Sequence, residues 1–92
     1  MKTYLACFDI SDDRARDRVA NALAKYGVRV QYSVFEIRMK TPAALGRLKT
    51  ELRKYIEEGD DIRFYHLCMD CRKKSHDIDD SPVAVLPAAV IL

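Results

Sequence analysis

Glycine is scarce in this chain: Gly27, Gly46 and Gly59 are its only three, and they stand far apart. That excludes a Walker A or GxGxxG loop, which needs closely spaced glycines for its backbone to reach the phosphates. Cysteine is as sparse, at three, and an odd count argues against a disulfide framework. No apolar run reaches the roughly 20 residues of a membrane-crossing helix. The apolar last segment, residues 83–92, is short and interrupted by Pro87. No cleavable leader is evident, since Met1-Lys2-Thr3-Tyr4 runs straight into an apolar stretch without a small-residue cleavage site. The expectation is a reducing cytoplasmic setting and no membrane partner. An excess of one charge is lacking too, because 16 Lys+Arg against 14 Asp+Glu leave only +2. Such a balance does not by itself argue for nucleic acid. The aromatic-rich RNP1 signature of an RNA-recognition motif is also missing.

What remains is a chain of 92 residues, about half apolar and a third charged, the make-up of one soluble domain. Residues 3–10 (TYLACFDI) form a nearly unbroken apolar run, as in a central strand, with Asp9 at its C-terminal end. Ser11 or Asp12 can cap a following helix, and Asp13 suits its positive N-terminus. Ala15, Val19, Ala22, Leu23 and Tyr26 then recur as a helical stripe, with Arg14, Arg18, Asn21 and Lys25 on another. Gly27 is placed as the residue that stops this helix.

Residues 28–39 (VRVQYSVFEIRM) are rich in strand formers, but their alternation changes phase. A bent strand or a very short hairpin near Gln31-Tyr32-Ser33 explains that equally well. Thr41-Pro42 opens a second helix carrying Leu45, Leu48, Leu52, Tyr55 and Ile56, with Gly59 as its end. Residues 61–69 read as a strand and residues 71–78 as a weaker basic one. The order predicts an α+β ferredoxin-like βαββαβ sandwich, a single domain over 1–92, with residues 83–92 as an extra C-terminal strand. Two helices cover one sheet face, leaving the other, with residues such as Phe35 or Ile37, in need of cover. The expectation is a homodimer formed through that face, its terminal strand pairing with the partner subunit.

Asp9 is the first candidate for chemistry. A carboxylate closing a strand, with Arg14, Arg16, Arg18 and Arg29 nearby in sequence, suits phosphodiester work. The acid can hold Mg²⁺ or another divalent cation while arginines hold phosphate oxygens. One aspartate is a poor site, but a two-fold axis beside it would bring a second. Arg14, Arg18 and Lys25 are candidate nucleic-acid contacts, against the plainer reading of a solvated helix face. His66, Cys68, Cys71 and His76 partly resemble a zinc knuckle. No helix N-terminus or positioned partner is evident beside a cysteine, which disfavours nucleophilic cysteine chemistry.

Phe8-Asp9-Ile10-Ser11-Asp12-Asp13 with Arg16, and then Arg29-Val30-Gln31-Tyr32-Ser33-Val34-Phe35-Glu36, together resemble one family's signature. It is the small CRISPR-associated adaptation protein, the Cas-two family. The resemblance implies a ferredoxin-like homodimer that associates with the Cas-one integrase and helps capture spacer DNA. It also implies metal-dependent endonuclease activity on RNA or double-stranded DNA. By the same resemblance Asp9 is the metal ligand, and Arg16, Arg18, Arg29 and Phe35 assist catalysis. The alternative is a non-catalytic DNA-binding adaptor bridging integrase subunits. A regulatory domain binding a small ligand at the dimer interface is a third reading.

Overall fold

The computed structural model describes residues 1–83. Residues 84–92, and with them most of the expected partner-pairing strand and Pro87, lie outside the described residues. Strand β1 (Lys2–Asp9) leads into helix α1 (Asp13–Ala24), strands β2 (Gly27–Gln31) and β3 (Val34–Met39), helix α2 (Pro42–Arg53), strand β4 (Asp61–Leu67) and a short helix α3 (Met69–Lys74). The strands form one sheet in the order β2-β3-β1-β4, with every neighbour antiparallel. This is the ferredoxin-like βαββαβ fold, followed by α3.

The strand alternation decides what each face carries. On β1, Ala6 and Phe8 are buried beneath the helices together with Ile10 just beyond the strand. Phe35, Ile37 and Met39 of β3 join them, opposite Ala6, Tyr4 and Lys2 in register. Val19, Leu23, Leu48 and Leu52 close the core from α1 and α2. Phe35 and Ile37 therefore belong to the helix-covered face, not to the face in need of cover. The phase change shows where alternation flips but not which side the helices take, so the opposite assignment fits the sequence as well. The uncovered face carries Leu5, Cys7 and Asp9 of β1, Val34 and Glu36 of β3, and Tyr65 and Leu67 of β4.

The caps are built as the residue types suggest. The Asp12 side chain accepts a hydrogen bond from the Ala15 N–H at 2.9 Å, and Thr41 Oγ1 accepts one from the Ala44 N–H at 3.1 Å. Between β2 and β3 the chain makes a short hairpin through Tyr32 and Ser33, with a bulge between Arg29 and Gln31. The hairpin and the bulge together account for the phase change, which settles the choice between bend and hairpin.

Three expectations are corrected. Helix α2 ends at Arg53, capped at Lys54, and Gly59 instead takes a left-handed φ of 93° in the turn before β4. Residues 69–74 are helical rather than extended, because the Cys68 sulfur caps the first turn and Arg72, Lys73 and Lys74 suit the last. Gly27 is not a helix stop but the first residue of β2. A Cβ there would stand 1.8 Å from the Glu36 carbonyl oxygen, so only glycine lets β2 approach β3 this closely.

This contrast gives a stability test. Gly27→Ala should lower the unfolding free energy by about 3 kcal/mol, because backbone rather than a yielding side chain is in the way. Gly46→Ala, on an open helix position with nothing near its added Cβ, should raise it by about 0.5–1 kcal/mol. Urea unfolding of both variants checks the pair.

Candidate functional site at the ends of the central strands

Asp9 is the last residue of β1, exposed, and on the uncovered sheet face. Its register partner is Asp61, the first residue of β4, so two carboxylates stand opposite each other on neighbouring strands. Asp61 is already engaged, its Oδ2 accepting a hydrogen bond from Arg63 Nε at 2.7 Å. The Phe8 N–H donates to the Ser33 carbonyl at 3.0 Å, which brings the β2–β3 turn alongside the same strand end. Among the described residues Asp9 has no ion pair. A carboxylate in that state keeps its acceptor capacity for a ligand.

The expected helpers are placed differently from one another. The Arg16 guanidinium donates to the carbonyls of Ile10 at 2.9 Å and Ser11 at 3.3 Å, and it pairs with Asp13. It thus fastens the β1–α1 loop, and among the described residues its ion-pair partner is Asp13 and not Asp9. The Arg29 guanidinium lies 5.0 Å from the Phe35 ring centre and 5.7 Å from that of Tyr32, a cation–π stack at the sheet edge. Phe35 itself is 3% exposed and packs on Phe8 with ring centres 6.2 Å apart. Its place is in the core, from which it supports Arg29. Arg14, Arg18 and Lys25 are exposed on α1 and at its end, a cationic stripe on the helical layer. Arg18 also acts electrostatically on Tyr55, whose phenol is pushed up chiefly by its hydrogen bond to Glu51.

Two features went unread in the sequence. Asp60 ties two loops together: Oδ2 accepts from the Glu57 N–H at 2.9 Å, and Oδ1 from the Ser11 N–H at 3.3 Å and hydroxyl at 3.4 Å. Its neighbourhood to Gly59 and a strand start was the available signal. Glu36, in the middle of the apolar β3, is paired with Arg72 of α3 at 3.2 Å, their side chains only 3% and 11% exposed. Nothing local to either residue marks a partner 36 positions away.

The zinc-like set does not assemble. His66 stacks on Tyr4 at 5.1 Å on the helix side, Cys68 caps α3, and His76 pairs with Asp80 at 3.5 Å. Among the described residues no group of three or more His, Cys, Asp or Glu side chains gathers as metal ligands. At this strand end, Asp9 is the unengaged carboxylate among the described residues, an oxygen donor of the kind a hard cation takes.

An α+β sandwich whose second sheet face is only partly covered among the described residues, with an acidic strand end, defines a class of small ferredoxin-like proteins. Within it, the family model for CRISPR associated protein Cas2 matches residues 1–75, and the chain belongs to that family. It is 43% identical over 81 residues to a CRISPR-associated endoribonuclease Cas2 of Chloroflexus aurantiacus, covering 86% of each chain. A second such protein, from Synechocystis, is 38% identical over the full length of both. Among solved structures, a chain of a partial Cas6-RT-Cas1–Cas2 complex matches all of this chain and all of its own, with TM-score 0.86 and 46% identity. Streptococcus pyogenes Cas2 matches 83% of this chain and 98% of its own, with TM-score 0.74 and 32% identity. No helix of the described residues is long and apolar enough to cross a membrane.

The Asp60 clamp has a pH signature. Its carboxyl is held below the usual range, chiefly by the Glu57 N–H; desolvation opposes this, and the Ser11 N–H and hydroxyl lower it further. A depressed folded-state value contributes stability that is present above the unfolded value and lost as pH falls through the folded one. Wild type should therefore lose thermal midpoint on acidification below about pH 4. Asp60→Asn should start lower at neutral pH and lose less over the same interval. Melts recorded from neutral to acidic pH test this; parallel curves for the two proteins would refute it.

Proposed function

We propose that the chain works in CRISPR spacer acquisition as a nucleic-acid-binding homodimer with metal-dependent endonuclease activity on RNA or double-stranded DNA. The observation that carries the reading is Asp9: exposed, without an ion-pair partner, and set at the end of the bare sheet face. The names of the relatives support a nuclease. The likeness to a chain from a Cas1-containing complex supports an integrase partner of the Cas-one kind.

The bare face supports the dimer. Leu5, Val30, Val34, Leu67 and Val83 line a hollow of about 600 Å³ on it. Val30 is 44% and Tyr65 50% exposed, a patch that water disfavours and a second copy would cover. A two-fold axis near the strand ends would give the site two Asp9 carboxylates, matching the preference of Mg²⁺ for one or two carboxylates with water and phosphate oxygens. When bound there, the cation would polarise the scissile phosphate and activate water. The chain's own part is to hold that cation through Asp9 and to place the backbone along Arg14, Arg18 and Lys25. Arg16 keeps the loop behind Asp9 in shape.

A second reading, an adaptor that binds duplex DNA and bridges integrase subunits without cutting, is favoured by one observation. Each protomer offers one unengaged carboxylate at the site, while the exposed arginines lie on the helical layer rather than around it.

Cleavage of labelled single-stranded RNA and double-stranded DNA, with Mg²⁺ and with chelator, separates the two. The nuclease reading expects Asp9→Asn to fold normally and to lose about a hundredfold or more of the metal-dependent activity. Arg14→Ala and Arg18→Ala should each reduce the slope of log affinity against log salt by about one unit. A well-folded wild-type dimer that binds duplex but cuts nothing would establish the adaptor instead. Equal cleavage by wild type and Asp9→Asn would remove Asp9 from the chemistry.

A further inference from the structure

Neither the metal site nor the nucleic-acid surface uses Cys68 or Cys71. The two thiols are exposed and sit one helical turn apart at the start of α3. The Cys71 N–H donates to Cys68 Sγ at 3.3 Å. Helix geometry sets Cα atoms three residues apart at about 5 Å, inside the range a disulfide spans without backbone movement. The third cysteine, Cys7, is half-buried on the sheet and far from both in register.

We propose that Cys68 and Cys71 form a reactive dithiol, a modification site that takes small disulfides such as oxidised glutathione and closes to a Cys68–Cys71 disulfide. Cys68 attacks first. Its thiolate is favoured chiefly by the Cys71 thiol, which donates to it, and then by the Cys71 and Asp70 backbone N–H groups. Cys71, as donor beside that sulfur, is pushed up and stays protonated longer. The Cys68 thiolate forms a bond to one sulfur of the oxidised glutathione, whose S–S bond breaks and releases one glutathione thiolate. The Cys71 sulfur, giving up its proton, then bonds to Cys68 and releases the second. The protein loses two electrons, the glutathione disulfide gains them, and the two thiol protons end on the released glutathiones. Cys7, raised by burial, is the internal control.

The test uses the full chain, reduced and then freed of reductant, and titrated with oxidised glutathione. Intact mass should fall by two hydrogens, and thiols open to alkylation should drop from the three present to one. Cys71→Ser should accumulate glutathione on residue 68. Cys68→Ser, which keeps a good helix cap, should take glutathione on residue 71 about tenfold more slowly. Overturning results are modification of Cys7 at the rate of Cys68, equal rates in the two serine variants, or wild type that stops at a mixed disulfide.

Discussion

What the sheet carries on each of its faces follows from the two-residue period of β1. Because successive side chains point to opposite sides, a strand with helices on one side must sort its residues by parity. Tyr4, Ala6 and Phe8 go under α1 and α2, and Leu5, Cys7 and Asp9 go to the bare side. A one-residue slip against β3 would bury Asp9 and expose Phe8, which the core cannot accept. The location of the acidic candidate is thus set by the same constraint that packs the core. β1 is the inner strand on which both β3 and β4 depend for their pairing.

The bare face is not uniformly bare. Glu36 lies there between Val34 and Arg38, and α3 folds back so that Arg72 meets it. A buried carboxylate with no partner would be costly, so α3 answers a need created by β3. The apolar remainder of the face, around Val30 and Tyr65, stays exposed among the described residues. That difference separates the part of the face that α3 completes from the part that the proposed second copy would cover.

Much of this was legible in the residues. The unbroken run into Asp9, a cap at Ser11 or Asp12 and another at Thr41 rest on local chemistry, and the structure realises them with Asp12 and Thr41. The stripes are realised on α1 through Leu23 and on α2 through Leu52, with Tyr26, Tyr55 and Ile56 packing on the core from just past the helix ends. What the residues do not display is long-range information. The face of Phe35 is not legible, because a phase change reports parity without saying where the helices lie. The need for Gly27 in β2 is not legible either, because the Glu36 carbonyl that forbids a side chain there belongs to another strand. Residues 71–78 lack a helical apolar stripe, and the thiol cap that starts α3 has no strong sequence signature. Of the candidate site, Asp9 and the exposed Arg14, Arg18 and Lys25 stand where their pattern puts them. The roles of Arg16, Arg29 and Phe35 depend on neighbours the sequence does not display.

The arginines near Asp9 in sequence divide in space. Arg16 is fixed to the Ile10 and Ser11 carbonyls and Arg29 rests on aromatic rings, so neither is a loose cation waiting beside Asp9. Arg14 and Arg18 are free of ion pairs among the described residues, but α1 carries them on the layer opposite the bare face. On the proposed reading, a phosphate backbone following that stripe would run along the helical side of the chain. To reach Asp9 it would have to turn around the strand ends, where the loop held by Arg16 and Asp60 forms the corner. The proposed binding and chemistry would then lie on different surfaces joined by that loop. Loss of a helix cation would weaken binding without touching Asp9, and loss of the Asp9 charge would leave the stripe intact.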